Sequence, residues 1–241
     1  MYEKTRGIVL YTIPYNDTLS VVHIYTEKYG RVSYTLPRGN GRSAKMARAL
    51  YMPLSLLELE VECRAGRDMQ RIREAHTWIP LPRIQSNPIR TSLAMFLSEF
   101  LGGVLRNSEP QPDLFAYVTQ SIQLLDGINE GLGNFHLCFL IGLTSYIGIT
   151  PNTDDFDRGA YFDMQEGVFA RMRPIINPSL PPIEAAAMTK LLRMNFNNMH
   201  KFRFSRNERS AILDRIIMYY NLHLTGMGHL SSPAILHTIF D

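Results

Sequence analysis

Hydrophobic and polar residues alternate through the first 75 positions of the chain, and turn-forming residues interrupt the alternation at short intervals. A period of two predicts half-buried β-strands, whose side chains point alternately to the two faces of a sheet. The pattern predicts five strands, at residues 5–13, 19–26, 30–37, 53–63 and 68–75. Five short strands with a break after the third are typical of a small OB-type barrel.

The pattern changes between residues 78 and 88, where three prolines exclude both a strand ladder and a helix interior. We predict a domain boundary here, which divides the chain into residues 1–80 and 81–241. Beyond it the period is helical, and helices are predicted at 87–107, 113–125, 134–146, 183–194 and 206–224. An irregular insert at about 149–182 contains a predicted hairpin at 161–170. The predicted fold class is α+β: a five-stranded OB-fold barrel, then a mainly α-helical domain with a small β-hairpin lobe.

Charge is distributed unevenly between these two parts, although the whole chain has a formal net charge of only +3. Residues 1–80 contain 12 Lys and Arg against 8 Asp and Glu, a balance of +4. Residues 81–241 contain 13 against 14, a balance of −1. The basic excess suits a nucleic-acid partner, and ordinary solubilising charge explains it equally well.

The basic excess is concentrated in residues 30–48, which contain no acidic residue and five cations: Arg31, Arg38, Arg42, Lys45 and Arg48. Such cations repel one another unless solvent or an anionic partner screens them. These five residues are therefore our candidates for contacts with DNA phosphates. The aromatic ring of Tyr29, next to them in sequence, is a candidate for stacking on unpaired bases.

The cations of the fifth strand are expected to be occupied instead. If Ala65-Gly66 is a two-residue hairpin loop, two cross-strand pairs of opposite charge follow: Glu60 opposite Arg71, and Glu58 opposite Arg73. We therefore expect these two arginines to contribute to stability rather than to DNA binding.

A second basic group surrounds the predicted start of the last helix: Lys201, Arg203, Arg206 and Arg209. That helix begins with a capping box, in which Ser205 is followed by Glu208 three residues later. Cations at a helix N-terminus could hold the carboxylates of an acidic peptide partner. Unremarkable surface charge is at least as good an explanation for each of them.

No catalytic constellation is found. The glycines at 39 and 41 are not followed by the Lys-Ser/Thr of a phosphate-binding loop, and the histidines lack the spacing of a metal-binding helix. The acidic residues Asp154, Asp155 and Asp157 are interpreted as a solvated turn. Cys63 and Cys138 lie in apolar surroundings and are expected to be buried thiols. We therefore predict no enzymatic activity, no cofactor and no metal site.

The chain contains no apolar run of the roughly 18 residues that a membrane span needs. Its N-terminal residues are polar and continue directly into a strand pattern, unlike a signal peptide. These features predict a cytoplasmic protein without a membrane partner.

The order of several segments resembles the RecO family of recombination proteins. The segments are Gly-Arg-Val-Ser-Tyr-Thr-Leu-Pro-Arg-Gly-Asn-Gly-Arg-Ser at 30–43, Leu-Ser-Leu-Leu-Glu-Leu-Glu at 54–60, Phe-His-Leu-Cys-Phe-Leu-Ile-Gly-Leu at 135–143, Gly-Ile-Thr-Pro-Asn at 148–152 and His-Leu-Ser-Ser-Pro-Ala-Ile-Leu at 229–236. The resemblance covers essentially the whole chain. Many members of the family carry two Cys-x-x-Cys pairs in the segment that corresponds to residues 152–175, which contains no cysteine here. A zinc site is therefore not expected.

The resemblance implies a non-enzymatic DNA repair and recombination mediator, associated with the nucleoid. Such a protein binds single- and double-stranded DNA, anneals complementary strands and promotes recombinase loading. The implied protein partners are RecR and the acidic C-terminal tail of single-strand binding protein. The alternative is an interaction adaptor whose barrel binds a protein rather than DNA, and salt-sensitive binding to arbitrary DNA sequences would separate these two functions.

Overall fold

The computed structural model describes residues 2–39, 41, 48–64, 66–106, 108–228, 230–233 and 236. The chain forms two compact units. One comprises the residues up to Gly127 together with those from Met227 onward, and the other comprises Ile128–Gly226. This division falls at a different place from the domain boundary predicted at residue 80, which stays a prediction about separately folding domains.

The N-terminal part of the first unit is a closed five-stranded barrel. Its strands are β1 (Tyr2–Pro14), β2 (Leu19–Thr26), β3 (Gly30–Pro37), β4 (Leu56–Glu62) and β5 (Met69–Ile79). They follow one another around the barrel in the order β1-β2-β3-β5-β4, and only the β3–β5 pair is parallel. The predicted OB-type barrel and its five strands are confirmed.

The barrel interior is filled by side chains that alternate along the strands, as the sequence pattern predicts. The buried set comprises Val9, Val22, Ile24, Tyr34, Leu57, Leu59 and Val61. The alternation ends with β4, however. Glu62 is 8% exposed, whereas Cys63 is exposed, so the prediction of a buried Cys63 thiol is wrong. Beyond the strand the period of two no longer fixes which side chains point inward. Cys138 is buried, as expected.

The pairing of β4 with β5 differs from the predicted register. Glu62 lies opposite Arg71, Glu60 opposite Glu74, and Glu58 opposite His76. The register shifts between Glu60 and Val61, because Val61 pairs with Ile72 and Arg73 is the extra residue of a bulge. A second correction concerns the start of β4, which is predicted at Pro53 but lies at Leu56. Leu54 has a φ of 60°, so the chain turns immediately before the strand.

Three helices of the first unit are described over their full length, α1 (Pro82–Ser86), α2 (Pro88–Val104) and α3 (Pro112–Gly127), and residues 48–50 are also helical. The short α1 was not predicted, but Pro82 is its first residue, the one helical position where the missing N–H costs nothing. The start of α2 was predicted, and the Asn87 side chain accepts a hydrogen bond from the Arg90 N–H. Ser98 of α2 donates to the Leu10 carbonyl, which joins this helix to β1.

One carboxylate joins the segment at residues 231 and 232 to α2. Glu99 accepts hydrogen bonds from the backbone N–H and the hydroxyl of both Ser231 and Ser232. Burial alone would raise the pKa of Glu99, but these four donors hold it below its usual value.

The second unit packs three helices and a small sheet. Its helices are α4 (Phe135–Tyr146), α5 (Pro182–Leu191) and α6 (Arg206–His223), and single 3₁₀ turns occur at Leu132–Asn134 and Met199–Lys201. Its strands are β6 (Tyr161–Asp163), β7 (Val168–Ala170) and β8 (Ser179–Leu180), in the order β7-β6-β8. The predicted hairpin is confirmed, and the unpredicted β8 extends it to three strands.

An apolar cluster holds this sheet against α5 and α6. Its buried members are Ala160, Phe162, Met164, Phe169, Leu180, Ala185 and Tyr219. The capping box predicted at the start of α6 is present, because Ser205 and Glu208 each accept a hydrogen bond from the backbone N–H of the other. None of the helices in the described part of the chain has the length and apolar character needed to cross a membrane.

Candidate nucleic-acid interface

Two of the predicted DNA contacts lie at the ends of the loop that follows β3. Arg38 is exposed, and its Nη1 donates to the Asn16 carbonyl at 2.9 Å. Arg48 is exposed, and its Nη1 donates to the Gly39 carbonyl at 3.0 Å. Neither forms an ion pair with a carboxylate of the described residues. Arg42 and Lys45, the other two predicted contacts of this loop, lie outside the described residues.

Arg31 occupies a different environment, in which its guanidinium group is hydrogen-bonded within the protein. Nη1 donates to the Arg106 carbonyl at 2.8 Å, and Nη2 donates to the Tyr11 hydroxyl at 2.7 Å. Nη2 also lies 3.1 Å from Nδ1 of His23. These contacts join β1, β2, β3 and the end of α2. They favour a structural role for Arg31, and its predicted contact with DNA stays a prediction.

The same environment changes the pKa of His23. Burial lowers the pKa of its imidazole to about 4, and the adjacent positive charge of Arg31 contributes in the same direction. A neutral imidazole can accept hydrogen bonds at Nδ1 from both Arg31 and Ser33. The Arg31 charge is therefore held by a neutral histidine, a phenol and a carbonyl.

Tyr29 is half-buried against the barrel core and does not present an unobstructed ring. Its hydroxyl donates to Oε2 of Glu3 at 2.7 Å. Burial and this hydrogen bond raise the pKa of the phenol to about 12. The contacts favour a packing role, and its stacking on bases stays a prediction.

The two arginines of β5 differ from each other. Arg73 Nη1 lies 3.0 Å from Oε1 of Glu60, and its guanidinium lies 5.2 Å from the centre of the Tyr2 ring. The expectation that Arg73 is paired is confirmed, although its partner is Glu60 rather than Glu58. Arg71 is exposed, and no ion pair joins it to the described residues, so its predicted pairing with Glu60 is wrong.

The other carboxylates of β4 do not pair with Arg71 either. Glu62 lies opposite Arg71 on the strands, but Arg64 Nε donates to its Oε1 at 2.7 Å. That hydrogen bond lowers the pKa of the Glu62 carboxyl. On its other side β4 pairs with β1, where Lys4 lies opposite Glu60 and Arg6 opposite Glu58. Arg71 is thus left without a carboxylate of its own.

The parallel pairing of β3 with β5 brings Arg71 close to the basic loop. Thr35 is the Cα partner of Arg71, and Arg38 follows three residues later in the chain. At about 3.3 Å per strand residue, the two arginines are roughly 10 Å apart along the backbone. Sequence reasoning missed Arg71 as a member of this surface, because nothing local to either strand reveals a parallel pair that joins positions 35 and 71. We call Arg38, Arg48 and Arg71 the loop-end cations.

The second basic group is brought together only in part. Lys201, Arg203 and Arg206 are exposed, whereas Arg209 is half-buried and donates from Nη1 to the Phe204 carbonyl at 2.9 Å. The helix start itself already holds a carboxylate, since Oε2 of Glu208 accepts from the Ser205 N–H at 2.7 Å. These bonds lower the pKa of Glu208.

An apolar groove of about 370 Å³ lies in the same unit, between α4, α5 and α6. Residues of α5 and α6 form most of its lining, including Met188, Leu191, Ile212 and Ile216, and Phe204, which precedes α6, also contributes. An ion pair of 3.0 Å between Glu184 and Arg215 lies at its edge. The sequence did not reveal the groove, because its lining combines residues from several separate segments, including α4, β6, β8, α5 and α6. Within the described part of the chain, no cluster of three or more His, Cys, Asp or Glu side chains could hold a metal ion.

Comparison with known proteins matches both parts of the chain to one family. Residues 1–79 match the family model described as Recombination protein O N terminal, and residues 85–233 match the one described as Recombination protein O C terminal. The chain is 43% identical to the DNA repair protein RecO of Azobacteroides pseudotrichonymphae over the whole of both chains. It is 40% identical to that of Phocaeicola vulgatus and 30% identical to that of Flavobacterium johnsoniae, again over the whole of both chains. The chain therefore belongs to the RecO family of DNA repair and recombination proteins.

Proposed function

We propose that this protein is a recombination mediator that binds single- and double-stranded DNA, anneals complementary strands and promotes recombinase loading. The observation that carries the proposal is that the loop-end cations have no ion-pair partner among the described residues. Arg38, Arg48 and Arg71 are exposed and form no ion pair with the described residues, whereas Arg64 and Arg73 on the same barrel are paired. Unneutralised cations at one end of a barrel suit the phosphates of a nucleic acid.

The mechanism requires no chemical step by the protein. Each cation that contacts a phosphate releases condensed counterions, which drives binding without regard to base sequence. Two strands whose phosphates are neutralised on one surface repel each other less, so complementary strands can approach and pair. Because its proposed ligand is DNA, we place the protein at the nucleoid. The proposal includes no enzymatic activity.

A salt titration of binding to labelled DNA tests the proposal. The double variant R38A/R48A removes two unpaired cations, and the control R64A/R73A removes two paired cations from the same barrel. If each cation contacts one phosphate, the first variant lowers the slope of log K against log salt by about 1.4 on single strands and about 1.8 on duplex. The control should leave the slope unchanged. Equal slopes for both variants and the unmodified protein would exclude this surface.

The proposed protein partners are RecR and the acidic C-terminal tail of single-strand binding protein. The groove between α4, α5 and α6 can accept the apolar end of such a tail, and the exposed cations Lys201 and Arg203 precede the groove residue Phe204 in the chain. We place the peptide there rather than at the start of α6, because the capping box already uses the N–H groups of Ser205 and Glu208.

A fluorescent peptide with acidic residues and an apolar carboxy-terminal residue tests this placement on the full chain. I212D should abolish binding, because it puts a charge in the groove. The variant K201A/R203A should weaken binding and reduce its salt dependence. Binding that survives I212D in a folded protein would move the site elsewhere. The adaptor alternative for the barrel is favoured instead if the protein shows no salt-sensitive affinity for DNA.

A further inference from the structure

A loop between β7 and β8 exposes an unusual amount of apolar surface. In residues 171–176, which we call the tip loop, Met172 is 83% exposed, Ile175 is 99% exposed and Ile176 is 94% exposed. Isoleucine and methionine are among the residues most often buried, and neighbouring apolar side chains that stay exposed mark interaction surfaces. The three side chains lie within five consecutive residues of one loop, and we call them the apolar patch.

Strands of the small sheet anchor both ends of the tip loop. Ala170 ends β7, where it pairs with Tyr161, and Ser179 begins β8, where it pairs with Asp163. Just outside the loop, Nδ2 of Asn177 donates to Oδ2 of Asp163 at 2.9 Å. Both ends of the loop are thus tied to the central strand β6. The exposed side chains project from an ordered sheet, so presenting them to a partner costs little further ordering.

The charges around the patch indicate what kind of partner fits it. Arg171 and Arg173 are exposed and alternate with Met172, and neither forms an ion pair with the described residues. Residues 167–183 contain no Asp or Glu. A complementary partner must therefore offer negative charge and apolar surface within a few ångströms of each other. A DNA strand offers both, since its phosphates alternate with the flat apolar faces of its bases.

We propose that the tip loop is a DNA-binding wedge, in which Met172, Ile175 and Ile176 insert between neighbouring bases of a strand. Arg171 and Arg173 hold the adjacent phosphates. Aliphatic side chains on a narrow protrusion unstack base steps in this way in proteins that bend DNA. Bases kept apart by the wedge cannot form intrastrand stacks, and their pairing edges stay available to a complementary strand. This inference rests on the proposed function, because it assumes that the protein binds DNA.

Fluorescence of 2-aminopurine placed at one position of a single-stranded oligonucleotide tests the wedge, because stacking quenches this base. The full-length protein should raise the fluorescence on binding. The variant M172Q/I175S/I176S should bind about 5- to 150-fold more weakly, the range expected for the loss of one base contact, and should remove the rise at saturating protein. Its salt slope should not change. The variant R171A/R173A should lower that slope by about 1.4.

The control is I183S, which changes a side chain that is 87% exposed but lies in the first turn of α5, outside the tip loop. It should behave as the unmodified protein does, and unchanged thermal transitions establish that all variants fold. If the triple variant binds and unstacks DNA as the unmodified protein does, the wedge is excluded and the patch is left to a protein partner. If I183S loses the fluorescence rise equally, the tip loop is not the cause. An unmodified protein that does not bind DNA overturns the proposed function and the wedge together.

Discussion

The two arginines of β5 should have opposite roles, and single substitutions can separate them. Arg73 lies 3.0 Å from Glu60 and stacks over Tyr2, whereas Arg71, two residues away, has neither kind of contact with the described residues. We expect R73A to lower stability without changing the salt dependence of DNA binding. We expect R71A to reduce the salt dependence of DNA binding and to leave stability almost unchanged.

The size of the stability effect follows from three contributions. The ion pair joins side chains that are 54% and 22% exposed, so roughly 0.2–1 kcal/mol is expected from it. A cation over an aromatic ring at an exposed site adds about 0.5–1 kcal/mol. Without Arg73, moreover, Glu60 faces the like charge of Glu74 on the β5 side, and only Lys4 on the β1 side lies opposite it as a cation. A loss of about 1–2 kcal/mol corresponds to a fall in Tm of about 2–8 °C for a chain of this length.

For R71A the expected change in stability is within about 0.5 kcal/mol, because the side chain is exposed and forms no ion pair with the described residues. Its salt slope should fall by about 0.7 on single strands and 0.9 on duplex, which corresponds to one phosphate contact. R71K keeps the charge and should retain the slope. Thermal unfolding and a salt titration of DNA binding measure both effects. If R73A changes the slope and R71A lowers the Tm, the assignment of charges from this register is refuted.

Three further predictions concern the fold. G30A should destabilise the barrel by several kcal/mol or prevent folding, because Gly30 has a φ of 64° and an added Cβ would lie 2.2 Å from the Ser108 carbonyl oxygen. The control G66A has a φ of 80° but open space around it, so it should lower the free energy of unfolding by only about 1–2 kcal/mol in chemical denaturation. Stability should fall as the pH drops from about 6.5 towards 4, because the imidazole of His23 binds a proton in the unfolded state and not in the folded state; this contributes at most about 1.4 kcal/mol per pH unit. H23Q should flatten the pH dependence of thermal melts in this range, and an unchanged dependence would assign it to other groups. Purified protein should contain no stoichiometric zinc and should keep its Tm in chelator, because the chain has only two cysteines; about one zinc per chain in metal analysis would contradict this.

The sequence by itself determined the elements whose signals are local. Alternation located the five strands, and the capping residues Asn87 and Ser205 marked the starts of α2 and α6. These signals survive because period and capping depend on residues within a few positions of each other. The order of short motifs likewise sufficed to indicate the family, since family membership is a property of the sequence.

Only the tertiary structure decided which charges meet. One bulged residue, Arg73, shifts the register of β4 against β5, so that Glu60 keeps an arginine partner and Arg71 loses one. A bulge of this kind interrupts the alternation only within β5, where Ile72 and Ala75, which both pack against the barrel core, are three residues apart. That irregularity does not say which residues of β4 lie opposite, so the sequence pattern does not reveal the ion pairs. Arg31 is a second case in which the sequence does not reveal the partners of a charge. It looks like an unpaired cation within its own segment, yet its partners Tyr11 and Arg106 come from β1 and the end of α2. Ion pairs and hydrogen bonds are set by distances across the fold, and those distances exist only once distant segments have packed together.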